Sequence, residues 1–352
     1  MKGLKISSAA FYAIVAILLI IIAAEAVYLV SFLRDDADED TESADVADTN
    51  AADEISTEEL TTESTSTAEV TETEEASSAN DAVSDEEETT AEEVTEAAVI
   101  DMDALYNEAY TTIAALMRNV GIYACDLSTG ETFEYNDYTG YSCASSIKAA
   151  YIYYVCRLVD EGEATLNDIL TYESSDTVYG EGVIGKSEVG TKYTLAEVIH
   201  YTVNISDNEG YNMLVRTYGR DGYDTFVTAL GCDSLCISSS KYPNITAHDL
   251  GVIWQEIYNY STETKTGEWL YEEFLSVSYM TFIEDATGYE TANKDGWNAE
   301  ACNAAGIVYS EDCTYVLVLL STGSYYTINM ESYNAIITVI DEIMSALAAQ
   351  AR

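Results

Sequence analysis

The sequence has little positive charge and almost no histidine. Its 352 residues include 14 Lys and Arg against 63 Asp and Glu, which gives a formal net charge of −49 at pH 7. Such a chain repels phosphate groups, which argues strongly against nucleic acid as a partner. The only histidines are His200 and His248, and no group of Cys and His has the spacing of zinc ligands. We therefore expect no metal site and no cofactor.

Basic residues are also missing from a long segment near the N-terminus. Residues 35–100 contain 25 Asp or Glu and no Lys or Arg, and Ser, Thr and Ala make up most of the rest. Self-repulsion and the scarcity of large apolar side chains prevent a core from forming here. We predict that residues 34–100 form an extended, disordered spacer. Binding of cations or of a basic partner by this segment is the alternative.

Charged residues of either sign are rare in the part of the chain that precedes this spacer. The run over residues 9–33 contains a single charged residue, and its 25 residues exceed the roughly 20 that cross a bilayer. Lys2 and Lys5 precede it, which predicts a short cytoplasmic N-terminus over residues 1–8, a single-pass anchor in the cell membrane and an extracellular remainder. A cleaved signal peptide is the alternative, since residues 24–26 resemble a small-x-small cleavage site.

Cysteine is absent before Cys125, which excludes an N-terminal lipoprotein cysteine. The seven cysteines of the chain permit disulfides in an extracellular domain and leave at least one thiol over. Cys232 and Cys236 are close enough in sequence to pair if the loop between them allows it. Cys143 is predicted to be a small buried residue and not a nucleophile, because no histidine is in view to activate it.

Residues 101–352 carry the periodic patterns of a folded domain. Helical periodicity covers residues 101–118, and GIYACDLSTGETFEYND predicts two strands around a turn. Helical patterns follow from residue 145 to residue 283, interrupted by a loop over residues 164–192. TANKDGWN, CNAAGIVYS and CTYVLVLLS predict three successive strands, and residues 332–348 predict a closing amphipathic helix. Strands from both ends of the domain predict an α+β fold, with an antiparallel sheet, flanking terminal helices and an all-helical subdomain.

Ser145 and Lys148 stand one turn apart at the start of an apolar helical run, in CASSIKAAYIYY. A serine is a weak nucleophile unless a base takes its proton, and a lysine kept neutral by burial can be that base. A nucleophile at a helix N-terminus also places its own backbone N–H where an oxyanion forms. Taken alone, such a pair is more often a helix-capping serine with a surface lysine.

Ser206-Asp207-Asn208 lies between two predicted helices. The serine could pass a proton to a leaving group there, and the asparagine amide could hold a substrate carbonyl. An Asx-type turn with helix caps is the alternative.

Lys294-Asp295-Gly296 lies on a predicted strand. A lysine on a strand edge can hold a substrate anion, and the glycine lets a substrate approach the backbone closely. An ordinary exposed strand lysine is the alternative.

Together, in this order, the three motifs are those of penicillin-recognising serine enzymes. GEGVIGKSEVGTKYTLAEVIHYTVNISDNEGYNMLV is similar to the class A β-lactamase segment that runs into Ser-Asp-Asn. NKDGWNAEACNAAGIVYSEDCTYVLVLLS resembles that family's Lys-Thr-Gly strand and the hairpin after it. The resemblance covers residues 101–350 and implies a β-lactamase/transpeptidase-like fold and serine hydrolase activity.

The resemblance also implies a catalytic role for three residues. Ser145 would be the acylated nucleophile, Lys148 its general base, and Ser206 the relay that passes a proton to the leaving nitrogen.

Further residues would bind the substrate. Asn208 would position Lys148 and the substrate amide, and Lys294 would supply positive charge. The backbone N–H groups of Ser145 and Trp297 would form the oxyanion hole, beside Gly296. We also expect Tyr179 to border the cleft.

Two departures from the family pattern affect the expected chemistry. The family's omega-loop glutamate activates the water that removes the acyl group, but no glutamate lies between Glu209 and Glu256. Deacylation should therefore be slow, since a positioned base is worth ~10²–10⁴-fold. Asp295 replaces a hydroxyl residue that binds the substrate carboxylate, so when ionised it would repel that carboxylate and neutralise Lys294. Residues 315–320 hold no Arg or Lys to compensate.

These patterns predict a membrane-anchored, extracellular serine hydrolase that forms an acyl-enzyme with β-lactams and hydrolyses them slowly. One alternative is a D-alanyl peptidase or transpeptidase-like enzyme of the cell wall, which acts on peptidoglycan-like substrates. The other is a non-catalytic binding module that retains the fold.

Overall fold

The computed structural model describes residues 100–180 and 182–351. The predicted cytoplasmic segment, the anchor over residues 9–33 and the spacer up to residue 99 lie outside the described residues. Within the described ranges, no helix is both long and apolar enough to cross a membrane.

The described part alternates helices with short strands. The helices are α1 (Met102–Leu116), α2 (Ile147–Asp160), α3 (Leu195–Asn204), α4 (Asn208–Tyr218), α5 (Asp221–Ala229), α6 (Ala247–Glu263), α7 (Lys265–Leu275), α8 (Phe282–Thr287) and α9 (Met330–Ala351). The strands are β1 (Val120–Asp126), β2 (Thr132–Tyr135), β3 (Tyr141–Ser142), β4 (Ile169–Thr171), β5 (Lys192–Thr194), β6 (Asn244–Ile245), β7 (Thr291–Asn293), β8 (Gly296–Trp297), β9 (Cys302–Tyr309) and β10 (Thr314–Ser321).

Both ends of the domain build one antiparallel sheet. Its order is β2-β1-β10-β9-β7, and β8 pairs with β9 beyond the end of β7. In the register, Ile122 lies opposite Leu319, and Val316 lies opposite Ile307. The sheet is therefore complete only when β1 pairs with β10, which lies almost two hundred residues later in the chain.

Alternate side chains of the sheet enter two separate cores, because successive residues of a strand point to opposite faces. Ile122 and Leu319 pack with the terminal helices α1 and α9. Tyr123 and Val318 pack in the other core, with the helices between β3 and β7 and with the fully buried Trp254 of α6. The α+β fold with terminal helices on one side and a helical subdomain on the other is thus confirmed.

Several boundaries differ from those predicted. The helix expected from Ser145 begins with a 3₁₀ turn over Ala144–Ser146, and α2 starts only at Ile147. The segment predicted as a loop over residues 164–192 contains β4, which pairs with β5. A capping box stands at the start of α3, with the Thr194 side chain accepting from the N–H of Glu197.

Candidate active site

Ser145 lies in the tight 3₁₀ turn between β3 and α2. The residue before it, Ala144, has φ +45°, a region that residues with a Cβ rarely occupy. Such a conformation persists only where the surroundings enforce it.

Asn303 of β9 holds the backbone before Ala144 in place through hydrogen bonds. Its amide nitrogen donates to the carbonyl oxygens of Ser142 at 2.8 Å and Cys143 at 3.1 Å, and its amide oxygen accepts from the N–H of Ser321 at 3.1 Å. A fully buried asparagine thus fixes the chain that leads to Ser145. The sequence analysis missed Asn303, and its only signal was a polar residue in an otherwise apolar strand.

Lys148 is fully buried one turn after Ser145. Its Nζ donates to the carbonyl oxygen of Ser206 at 2.6 Å, to Ser206 Oγ at 3.2 Å and to Asn208 Oδ1 at 2.7 Å. Burial, reinforced by the nearby Lys294 ammonium, holds the pKa of Lys148 well below its ordinary value. A lysine in this state gives up its proton more readily than an exposed lysine does.

Lys294 reaches the same hydroxyl from the sheet side. Its Nζ donates to Ser206 Oγ at 3.1 Å and to the carbonyl oxygen of Asp295 at 3.3 Å. Burial lowers the pKa of Lys294 to about 8, and the Asp295 carboxylate opposes that shift. Two buried amines with lowered pKa values therefore meet at one serine hydroxyl, which suits Ser206 as a proton relay.

The turn that carries Ser206 is held by its neighbour Asp207. Ser206 itself has φ +57°, again in the region that side chains disfavour. Asp207 caps α4 by accepting from the N–H of Gly210 at 2.8 Å. Its other carboxylate oxygen accepts from the N–H groups of Val183 at 2.6 Å and Ile184 at 2.9 Å. Asp207 thus ties the loop after Tyr179 to the catalytic turn.

Strand β8 runs directly against the Ser145 turn. A Cβ built on Gly296 would lie 2.7 Å from the backbone nitrogen of Ser145 and 2.5 Å from that of Ser146. Only glycine fits this approach. The contact sets Trp297 beside Ser145, where the two residues line one cleft.

The structure corrects the expectation that Asp295 faces the substrate. Its side chain is 4% exposed, and its carboxylate accepts from the backbone N–H groups of Phe282 at 2.8 Å and Ala305 at 3.0 Å. Between β7 and β8, the side chain of Asp295 thereby takes the place of a backbone acceptor. The neighbouring Lys294 keeps its backbone hydrogen bond and donates its N–H to the Ala305 carbonyl oxygen. Burial raises the pKa of Asp295 to about 7, so its charge is partly lost at neutral pH.

The predicted residues meet around a cleft of about 460 Å³. Its lining residues are Ser145, Tyr179, Gly180, Ser206, Asn208, Trp297, Asn298, Ala299 and Tyr326. Lys148 and Lys294 lie behind Ser206, whereas Asp295 is turned into the protein. Tyr179 borders the cleft as expected, and Tyr326 is a lining residue that the sequence analysis missed.

The segment where the family's glutamate was sought offers no carboxylate to this cleft. Lys241 Nζ donates to Asn212 Oδ1, and the Tyr242 hydroxyl lies 3.5 Å from Asn208 Oδ1. In the described part of the chain, the hydrogen-bond partners of that amide oxygen are Lys148 and Tyr242. Of Lys241 and Tyr242, Tyr242 is the one whose side chain reaches Asn208.

The cysteines do not join this chemistry. All seven are free, so the pairing of Cys232 with Cys236 that their spacing permits is not formed. Cys143 is fully buried, and burial raises the pKa of its thiol to about 12. A thiol in that state is a poor nucleophile, which fits the prediction made for it.

Comparison with known proteins settles the family. The model of the β-lactamase enzyme family matches residues 104–350. The chain belongs to this family. Its sequence is 21% identical to β-lactamase CARB-4 of Pseudomonas aeruginosa over 257 residues, which are 68% of this chain and 88% of that protein. It is 26% identical to β-lactamase SME-1 of Serratia marcescens over 114 residues, and this match spans only 38% of SME-1.

Solved structures of related folds agree. The structure of PBP-A has a TM-score of 0.63 at 19% identity and covers 68% of this chain and 96% of its own. The β-lactamase from Sphaerobacter thermophilus DSM 20745 has a TM-score of 0.59 at 20% identity and covers 70% and 96%. The predicted family, its β-lactamase/transpeptidase-like fold and the class of enzyme, a β-lactamase-like serine hydrolase, are confirmed. The roles of individual residues stay predictions.

Proposed function

We propose that this β-lactamase-family protein opens β-lactam rings with Ser145 and releases the product slowly. The observation that carries the proposal is the buried Lys148. It lies one turn from Ser145, its pKa is held low, and it contacts both Ser206 and Asn208.

Acylation begins when neutral Lys148 takes the Ser145 proton and Ser145 Oγ attacks the lactam carbonyl carbon. The backbone N–H groups of Ser145 and Trp297 stabilise the oxyanion that forms. When the carbon–nitrogen bond breaks, the proton passes from Lys148 through Ser206 to the leaving nitrogen. Lys294, bonded to Ser206 Oγ at 3.1 Å, holds the relay in place.

Hydrolysis of the resulting ester needs a water molecule and a base to activate it. The described residues that line the cleft include no aspartate or glutamate to act as that base. The acyl-enzyme should therefore accumulate. A variant of PBP-A, whose fold is similar, has been solved as an acyl-enzyme complex with penicillin G.

The same observation favours a second candidate, a D-alanyl peptidase or transpeptidase-like enzyme acting on peptidoglycan-like substrates. Such an enzyme passes its acyl group to an acceptor and does not need the omega-loop glutamate. A purely binding role is less well supported, because a buried pair of lysines with lowered pKa values is expensive unless it serves chemistry.

We place this domain outside the cell, on a single-pass anchor over residues 9–33 and the acidic spacer. The support is the apolar run after Lys2 and Lys5 and the absence of basic residues over 35–100.

Intact-mass measurement on the full chain tests the acylation. We expect incubation with penicillins and cephalosporins to add one ligand mass that persists for minutes or longer. The adduct should be absent from Ser145→Ala and present in Ser239→Ala, which removes an exposed serine hydroxyl. Absence of adduct and of turnover with every compound would reject the proposal.

A further inference from the structure

The mouth of the cleft is formed by unusually exposed aromatic rings. Tyr179 is 101% exposed and Tyr326 is 72% exposed, the two highest values among the exposed large apolar side chains of the described residues. Both line the cleft of Ser145. Exposed aromatic surface that converges on one concave site is typical of ligand recognition.

One wall of this mouth is rigid. The ring of Trp297 lies 4.7 Å from that of Tyr325 and 5.7 Å from that of Tyr326, the latter at 86°. Tyr325 in turn lies 5.8 Å from the buried ring of Phe282. Edge and tilted contacts of this kind fix ring positions, so the wall is continuous with the core beneath it.

Tyr179 also lines this mouth. Its loop is held to the Ser206 turn by the two hydrogen bonds from Val183 and Ile184 to Asp207. A flat ring that contacted Tyr179 and Tyr326 would cover exposed apolar surface of both side chains.

The described residues that line this mouth carry no positive charge. The nine described lining residues include no lysine, arginine, aspartate or glutamate. The two ammonium groups of the site, on Lys148 and Lys294, are buried behind Ser206, and both have lowered pKa values. Asp295 stands where the resemblance implies a carboxylate-binding hydroxyl, and its side chain is turned away from the cleft.

A substrate carboxylate would therefore lose water without gaining a charged partner at the cleft surface, which is unfavourable. Its approach is opposed as well, because residues 101–352 contain 37 Asp and Glu against 11 Lys and Arg. An uncharged donor has no carboxylate to desolvate and is not repelled by the net negative charge of the domain.

We infer that this site selects uncharged esters or amides that carry a flat ring near the reactive carbonyl, and that it discriminates against donors bearing a carboxylate. The inference rests on the acylation of Ser145 proposed above. With an ester, Ser145 Oγ attacks the carbonyl carbon, the bond to the leaving oxygen breaks, and the proton taken by Lys148 passes to that oxygen as an alcohol leaves.

Benzylpenicillin and its methyl ester form a matched pair for the test, because they share the ring system and differ in the charge of one group. The rate at which each labels Ser145 is read by intact mass on the full chain. We expect the ester to label roughly tenfold faster or more, the direction set by desolvation of the unpaired carboxylate.

The methyl ester of 6-aminopenicillanic acid, which lacks the phenylacetyl ring, tests the aromatic mouth. Tyr179→Ala and Tyr326→Ala should each slow labelling by the ring-bearing ester about twofold to tenfold and leave the ringless ester unchanged. Tyr138→Ala, which removes a tyrosine that is 67% exposed and outside the cleft, should change neither rate.

The outcomes separate the two proposals. Faster labelling by the acid than by the ester, or equal slowing of both esters in the tyrosine variants, overturns the selectivity and leaves acylation standing. Failure of all three compounds to label Ser145 overturns both.

Discussion

The inner end of the cleft and its mouth are built on opposite principles. At the inner end, Lys148 and Lys294 both donate hydrogen bonds to Ser206 Oγ in a region with little solvent access. At the mouth, Tyr179 and Tyr326 are exposed rings. Polar groups that we propose for the chemistry lie at one end, and apolar surface meets the solvent at the other.

We propose that the inner end determines how the bond is broken and that the mouth determines which substrate binds. The inner end holds Ser145, Lys148 and Ser206, to which the resemblance assigns acylation. The described residues that line the mouth carry no charge, and no glutamate lies between Glu209 and Glu256. Selection of the substrate and release of the product can thus change while the nucleophile and its base stay the same.

The largest expected effect comes from breaking the inner end. Lys148→Met keeps most of the side-chain volume and removes the base, so the rate of Ser145 acylation should fall ~10²–10⁴-fold. The measurement is the rate of adduct formation by intact mass with the most reactive donor.

Lys294→Met is the informative companion. Lys294 contacts the relay hydroxyl but not Asn208, so its loss should slow acylation less than the loss of Lys148. A larger effect at Lys294 would show that the assignment of base and charge donor is reversed. Circular dichroism should confirm that both variants fold.

A second prediction concerns the contact between β8 and the nucleophile turn. In Gly296→Ala the new methyl group would meet the backbone of Ser145 and Ser146, which forces the strand and its Trp297 N–H away. Loss of one oxyanion donor costs about 10²–10³-fold in rate.

Gly140→Ala serves as the control for this change. Its Cβ would meet only the Cβ of Asn244, at an ordinary 3.6 Å. An equal loss of acylation in both variants would mean that the close approach at Gly296 has no special part in catalysis.

The sequence was most informative where the determinants are local. The capping box of α3 needs only Thr194 and Glu197, which are three residues apart. The Ser145–Lys148 spacing follows from one helical turn. Strands β9 and β10 followed from the apolar runs in CNAAGIVYS and CTYVLVLLS.

Contacts between distant segments could not be predicted in the same way. Nothing local places Asn303 under the carbonyl groups before Ser145, or brings Tyr326 and Tyr179 to one cleft. Asp295 was predicted to face the substrate because it occupies the position of the family's carboxylate-binding hydroxyl residue. The ladder of backbone hydrogen bonds along β9 is interrupted at Asp295. The Asp295 carboxylate accepts from the N–H of Ala305 in place of a backbone carbonyl.

A third prediction sharpens the contrast between acylation and release. Tyr242→Glu places a carboxylate on the backbone position whose side chain already reaches Asn208. We expect the lifetime of the acyl-enzyme to shorten roughly tenfold, since even an imperfect base activates water. Tyr242→Phe removes the hydroxyl without adding a base and should leave the lifetime unchanged. The decay of the adduct mass after removal of free ligand measures both.

The smallest expected effect is on stability and not on rate. Burial raises the pKa of Asp295 from its ordinary 3.8 to about 7, so between these values the folded protein holds a proton that the unfolded chain has released. Since the native state binds more protons there, the free energy of unfolding should fall as pH rises from about 4 to about 7. Asp295→Asn cannot titrate, so this part of the slope should disappear.

Denaturant titrations across that pH range measure the slope for the native chain and for the variant. Glu284→Gln is the matched control, because Glu284 is exposed on the neighbouring helix α8. It should leave the slope as it is. If Asp295→Asn retains the native slope, Asp295 is ionised throughout the range, and the hydrogen bonds from Phe282 and Ala305 outweigh its burial. The inner end of the cleft would then hold a permanent negative charge beside Lys294, and that charge would keep the lysine protonated above pH 8.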